Sequence, residues 1–301
     1  MIKIIDFFAN ILSYIINPIY NLVGNYGVAV ILFTVIVKVL LVPLGVKQQK
    51  TMVKTKQIKP EIDKIQSKYK NDKEKLNEET MKLYQKYDIN PMGGCLPLLV
   101  QFPILLGLYR VIQHPINWIL RSNPVDAIEK IITEGKMTES AAAEALRSLC
   151  ASTDKIAGLN SVSELVGAFE KDASLGVTQI DIASKFHLVN FDFLGLDLSA
   201  TPSISELSWL WIIPIFATGA AFFSNWVSSK INPITGDQAQ TMKSMNLMMP
   251  LMTLFFTFTL SAGIGVYWFF STMLSVAQMY LLTKYFEKKY PSVANTGKGK
   301  K

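Results

Sequence analysis

Apolar residues fall along this chain in long blocks separated by charged ones. Tyr26 to Val46, YGVAVILFTVIVKVLLVPLGV, is the first unbroken block, with one charge, Lys38, near its middle. About twenty apolar residues at 1.5 Å each cover the roughly 30 Å hydrocarbon core of a bilayer, so the block predicts a transmembrane helix. Four more blocks follow: residues 94–113, 207–227, 245–260 and 265–282. Ahead of them, residues 1–25 place Ile4, Ile5, Phe7, Phe8, Ile11, Leu12, Ile15, Ile16 and Ile19 at helical spacing, with Lys3, Asp6, Asn10 and Ser13 largely to one side. That pattern predicts an amphipathic helix lying along a membrane surface, with an uncleaved signal-anchor as the competing reading.

Between the first two blocks, residues 47–93 carry twelve lysines against seven acids, a net of +5. Their sparse apolar positions are periodic: Ile58, Ile62, Ile65 and Tyr69, then Leu76, Leu83 and Tyr87, with Asn71-Asp72 as a turn between them. This predicts a cytoplasmic helical hairpin with a narrow apolar seam, and Pro60 in the first turn of its helix or kinking it. Residues 114–206 have the opposite balance, thirteen acids against seven bases. They are expected to form an exported, mostly helical domain, with short helices over Thr138–Leu149 and Ser161–Phe169. The loop 228–244 and the tail 283–301 are basic again. All short basic segments then fall on one side if the chain crosses five times, with its N-terminus outside and its C-terminus in the cytoplasm. The fold class so predicted is an all-α polytopic membrane protein.

Composition agrees: half of the residues are hydrophobic, and the net charge of +7 is concentrated in the cytoplasmic segments. Two cysteines, Cys95 and Cys150, make no disulfide framework. His114 and His187 are isolated, so no metal site or cofactor is expected. No nucleophile, phosphate-loop or zinc-protease motif occurs, and no catalytic residue or enzymatic activity is expected. The five blocks hold no Asp, Glu or His, which disfavours an ion-coupled carrier. Lys38 remains. At a helix centre a lysine costs about 2.5 to 3.5 kcal/mol, so it either faces a polar cavity or snorkels. Val46 is about eight residues away, some 12 Å of helix, which favours the cavity. Gln101 is the polar side chain at depth in the second block, and Arg110 near that block's end reads as snorkelling.

The runs FTVIVKVLLVPLGVKQQK, INPMGGCLPLLVQFPILLGLYRVI and GIGVYWFFSTMLSVAQ, with the Lys-rich hairpin ending in YQKY, resemble the YidC/Oxa family of membrane-protein insertases, bacterial and of Gram-positive type. The resemblance covers about two thirds of the chain and all five blocks. It implies a groove open to cytosol and lipid but closed to the outside, with a positive residue on the first span. Lys38 stands where bacterial members usually carry Arg, which keeps the charge and loses the planar fork. Ser271-Thr272 stand where an amide is usual, and the 114–206 segment exceeds the short outer loop of such proteins. On this resemblance Lys38, Gln101, Asn225 and Gln278 line a substrate groove. Nascent membrane proteins are the implied clients, the ribosome or a targeting factor docks on the basic hairpin and tail, and a bacterial plasma membrane is the location. Whether a Sec-type translocase also joins is left open by the residues. The alternative is a small-anion channel or carrier using Lys38, which would call for matched half-repeats with interrupted helices.

Overall fold

Proline decides where the first apolar block bends. Pro43 lacks an amide proton and its ring crowds the carbonyl four residues back, so the helix beginning at Tyr26 stops at Leu40 and a new one starts at Val42 with the proline in its first turn. The two segments meet at 57°. The expected span 26–46 is thus two helices, and the second runs on to Gln57.

The computed structural model describes residues 2–70, 72–89, 96–150, 156, 158–231 and 238–289, without the side chains of 2, 3, 73, 96–102, 105 and 238–246. The turn residue Asn71, the motif at 90–95 with Cys95, and the basic tail from residue 290 lie outside the described residues. In chain order the helices are α1 Ile2–Val23, α2 Tyr26–Leu40, α3 Val42–Gln57, α4 Lys59–Lys68, α5 Lys73–Lys86, α6 Leu96–Gln113, α7 Pro115–Trp118, α8 Pro124–Thr133, α9 Glu139–Arg147, α10 Val162–Lys171, α11 Gln179–Lys185, α12 Ile212–Ile231, α13 Gln238–Thr259 and α14 Ala262–Lys289. A two-stranded antiparallel hairpin, β1 Asp192–Phe193 and β2 Leu196–Asp197, interrupts them. Among the described residues, Trp209–Ile231 and Ala262–Lys289 are long and apolar enough to cross a membrane. The bent α2–α3 pair is a third if taken as one span, and Leu247–Thr259 is a shorter apolar helix.

The chain divides into two compact units. The first comprises Met1–Phe33, Phe102–Leu210 and Leu260–Val266. In it α1 buries Ala9, Leu12, Ser13, Ile16 and Tyr20, a face at spacings of three and four. Gly107 of α6 meets this face, and a Cβ there would sit 2.8 Å from that of Phe8. Arg110, expected to snorkel, instead donates its Nε to Asp6 of α1 at 2.9 Å. Arg110 also abuts His114. Burial, and then the adjacent guanidinium, push the imidazole down to about 4, so it is neutral at physiological pH.

The acidic segment of this unit is helical because its caps are in place. Asn123, Thr138, Ser161 and Thr178 each accept a backbone N–H at the start of a helix, and Ser161/Glu164 and Thr178/Asp181 form full capping boxes. Ile128, Ala142, Leu146, Leu165 and Val166 are buried in α8, α9 and α10. Segment 190–200 then stitches two helix starts. The Tyr26 amide donates to Asn190 O at 2.9 Å and Asn25 Nδ2 to Asp192 O at 2.6 Å, while the amides of Ala262 and Gly263 donate to Ala200 O at 2.8 Å and Leu198 O at 3.0 Å. The buried Tyr26 ring stacks edge-on against Phe191. Two glycines make room: a Cβ on Gly263 would lie 2.6 Å from the Tyr26 ring, and one on Gly27 would lie 2.5 Å from Phe193. At the hairpin tip Leu194 and Gly195 both take positive φ, 57° and 79°, as a two-residue connection demands. For leucine that conformation costs about 1–2 kcal/mol.

In the second unit, α12 lies along α13, with Trp211 edge-on to Phe258 and Phe256 stacked on Trp268. Helices α4 and α5 close on Ile58, Leu83 and Ile89, with Ile62, Ile65, Tyr84 and Tyr87 against them. Tyr87 donates its hydroxyl to Glu61 at 2.5 Å, and that carboxylate holds the phenol above its usual range. Pro60 sits in the first turn of α4.

Gly263→Val should push a branched side chain into the Tyr26 ring, at a cost of about 1–3 kcal/mol, and Gly27→Val should do the same against Phe193. Both are expected to lower the thermal midpoint of the detergent-solubilised protein. Gly219→Val, where a Cβ meets nothing within 4 Å, should change it far less. Equal midpoints for all three would show that the stitch does not stabilise the fold.

Candidate functional site

Lys38 is half-buried in α2, between the exposed apolar side chains of Val35, Ile36, Val39 and Leu40. Its Nζ donates to Ser275 Oγ of α14 at 2.8 Å. Ser275 in turn donates its proton to Ser271 O at 2.7 Å, so a lone pair of its oxygen faces the ammonium. The serine is therefore an oriented acceptor for the half-buried cation.

This contact is the first rung of a polar seam between α2–α3 and α14. A Cβ on Gly45 would run into the amide nitrogen of Gln278, so glycine is what lets that amide reach the α3 backbone. Gln49 Nε2 donates to Thr283 Oγ1 at 2.6 Å, with both residues buried, and Thr283 passes its proton to Met279 O at 2.7 Å. Lys56 pairs with Glu287 at 2.6 Å. Positions 38, 45, 49 and 56 are spaced by seven, four and seven, one helical face followed through the bend at Leu41. Their counterparts 275, 278, 283 and 287 advance along α14 in the same order. The seam grades from a half-buried cation, through a buried amide–hydroxyl pair, to a partly exposed ion pair.

Of the four residues expected to line a groove, Lys38 and Gln278 stand on this seam. Asn225 is half-buried on α12. The side chain of Gln101 lies outside the described residues. Sequence reasoning missed Gly45, Gln49, Ser275 and Thr283 as members. The available signal was the seven-four-seven run of small and polar positions beginning at Lys38. Among the described residues no group of three or more His, Cys, Asp or Glu could hold a metal ion.

A half-buried cation on an apolar helix, held by serine and followed by amide and hydroxyl contacts, fits a membrane protein whose apolar helices are joined by polar contacts. Comparison with known proteins makes the class specific. A family model described as 60Kd inner membrane protein matches residues 18–289, and the chain belongs to that family, the YidC/Oxa family of membrane-protein insertases. A protein of Clostridium tetani named membrane protein insertase YidC is 30% identical over 289 residues, covering 95% of this chain and 94% of its own length. One of the same name from Syntrophus aciditrophicus is 29% identical over 88% of this chain but only 34% of its own, and one from Fusobacterium nucleatum is 46% identical over 105 residues, 35% of this chain and 51% of that one. The chain thus spans nearly all of one relative and about a third to a half of the other two. It is a bacterial membrane protein.

The buried Gln49–Thr283 pair gives the seam a direct energetic test. Gln49→Leu or Thr283→Val alone should leave one buried polar partner unsatisfied and cost about 1–3 kcal/mol. The double variant should cost clearly less than the two together, because neither partner is then stranded. Additive losses in denaturant unfolding of the detergent-solubilised protein would mean that the bond contributes nothing.

Proposed function

We propose that this protein inserts nascent membrane proteins, and helps them fold, through a hydrophilic groove in the second unit that is open to cytosol and lipid. The observation that carries the proposal is Lys38, a cation held by Ser275 on an otherwise apolar helix. The polar flank of a client enters, is solvated by Lys38, Gln101, Asn225 and Gln278, and crosses a thinned barrier while its apolar helix slides into lipid. Unsatisfied polar groups cost several kcal/mol each in hydrocarbon, and a hydrated groove removes much of that cost without nucleotide hydrolysis. The positive charge attracts acidic residues in the arriving flank.

In this reading the chain crosses the membrane five times, over 26–46, 94–113, 207–227, 245–260 and 265–282, with the N-terminus outside and the C-terminus in the cytoplasm. The amphipathic segment 1–25 and the domain 114–206 face outward, and the hairpin 47–93, the loop 228–244 and the tail 283–301 face the cytoplasm. The alternation of basic and acidic segments supports this topology. The +5 hairpin and the basic tail dock the ribosome or a targeting factor by charge.

If charge and not fork geometry is what the groove requires, Lys38→Arg should insert clients at close to the wild-type level in proteoliposomes. Lys38→Glu should fail, because it repels acidic flanks and adds its own desolvation cost. Lys38→Ala should be impaired most for clients with acidic flanks. A cysteine at position 38 should react with a soluble maleimide from the cytoplasmic side. Normal insertion of every client by Lys38→Ala, with an unreactive cysteine, would make Lys38 a bystander.

Docking on the cytoplasmic face should be salt-sensitive, since exposed charges further apart than a Debye length, about 10 Å at 0.1 M salt, are largely screened. Removing residues 290–301 and replacing the lysines of α4 and α5 by glutamine should weaken ribosome co-sedimentation at low salt. Unchanged co-sedimentation would remove the docking role.

A further inference from the structure

One strained and highly exposed point of the first unit is apolar. Leu194 is 87% exposed and sits at φ 57° at the hairpin tip, a place that asparagine or glycine would fill without strain or apolar exposure. Its surroundings fix its level in the molecule. Asp192 O is bound by Asn25, the residue before α2, and the Phe193 ring lies on Gly27, the second residue of α2. The tip therefore lies level with the first turn of the first apolar helix. Further along, Ile204, Leu207 and Trp209 are 73%, 86% and 84% exposed immediately ahead of α12, whose apolar stretch begins at Trp209. Tryptophan is enriched at membrane interfaces, and these residues approach the start of a second apolar helix as Leu194 approaches the start of the first.

The hairpin satisfies several of its own backbone donors locally, with the Asp192 and Asp197 side chains exposed. Asp192 Oδ1 accepts from the Gly195 amide at 3.0 Å, Asn190 Oδ1 accepts from the Asp192 amide at 3.1 Å, and Asp197 Oδ1 takes both the amide and the hydroxyl of Ser199. A loop that enters the headgroup region must satisfy its own donors, because fewer waters reach it there.

We infer that the hairpin tip at Leu194, together with Ile204 and Leu207, enters the boundary between headgroups and acyl chains of the outer leaflet and fixes the outer end of α2 at that depth. The occupant of this apolar surface is the bilayer itself, argued from the continuity of both segments with the starts of membrane-crossing helices. The leaflet assignment rests on the topology proposed above.

The test uses the full chain with Cys95 and Cys150 replaced by alanine, Leu194→Cys labelled with an environment-sensitive fluorophore, and reconstitution in phosphatidylcholine/phosphatidylglycerol vesicles. Blue-shifted emission that is lost when lipids carry a nitroxide near the headgroup, and that resists aqueous iodide, is expected. Water-like emission quenched by iodide and not by the lipid nitroxide overturns the inference and leaves the tip to a protein partner. Leu207→Cys, outside any helix or strand, reads the same boundary with the same two outcomes where Leu194→Cys does not accumulate. Topology is read separately from Ser163→Cys, exposed on α10, in intact cells. Labelling by an impermeant maleimide added outside supports the outer leaflet. Labelling only after the cytoplasmic face is opened overturns the topology, and the outer leaflet with it, whatever the quenching result.

Discussion

A cation in the last turn of an apolar helix, just before its bend, has to be satisfied, and the polar contacts of the second unit begin there. The ammonium of Lys38 has three donors, and Ser275 takes one of them at 2.8 Å. Because the serine's own proton is committed to Ser271 O, its oxygen cannot turn away as a donor. The other two donors are left for further acceptors such as water. Even against the figure for a lysine at the centre of a span, about 2.5 to 3.5 kcal/mol, a single hydroxyl bond worth about 1.5–3 kcal/mol with a charged partner is a partial offset that hydration completes. The same arithmetic that makes Lys38 expensive thus argues for hydration around it.

The rest of the seam is a run of polar contacts between α3 and α14. Gly45 admits the Gln278 amide, and Gln49 meets Thr283. Nearer the ends of α3 and α14, Lys56 and Glu287 are partly exposed, and an ion pair in that setting contributes only about 0–1 kcal/mol. Cohesion is therefore carried by the buried middle of the seam, and its charged end is the part that can part at little cost.

Features that a short window can hold were legible in the sequence. Of the four-three-four run from Ile58, Ile58 lies in the buried cluster with Leu83 and Ile89, and Ile62 and Ile65 pack against it, while Tyr69 does not join it; the caps at Thr138 and Ser161 mark helix starts because a cap is a local bond. The bend at Leu41 was legible in principle from Pro43, but a continuous apolar run outweighed one residue. The seam was not legible as a pairing, since Gln49 and Thr283 are 234 positions apart and a lone polar residue carries no sign of its partner. The 190–200 stitch left still less trace: its strands are two residues each, and its bonds to Tyr26, Ala262 and Gly263 run through backbone atoms that every residue has. Among the candidate groove residues, Lys38 was found by its cost alone, whereas Asn225 and Gln278 came only from likeness to a family.

Why lysine suits this place follows from the acceptor it meets. A guanidinium presents five donors in a rigid plane and is served best by a carboxylate or several acceptors in register. Ser275 offers one oxygen, and the next polar group along α14, the Gln278 amide, lies one turn further on against Gly45. A compact ammonium on a flexible stem can hold that single oxygen and still turn its remaining donors toward water, so it needs little from the protein beyond one oriented lone pair. The site therefore fixes a charge and leaves its solvation adjustable.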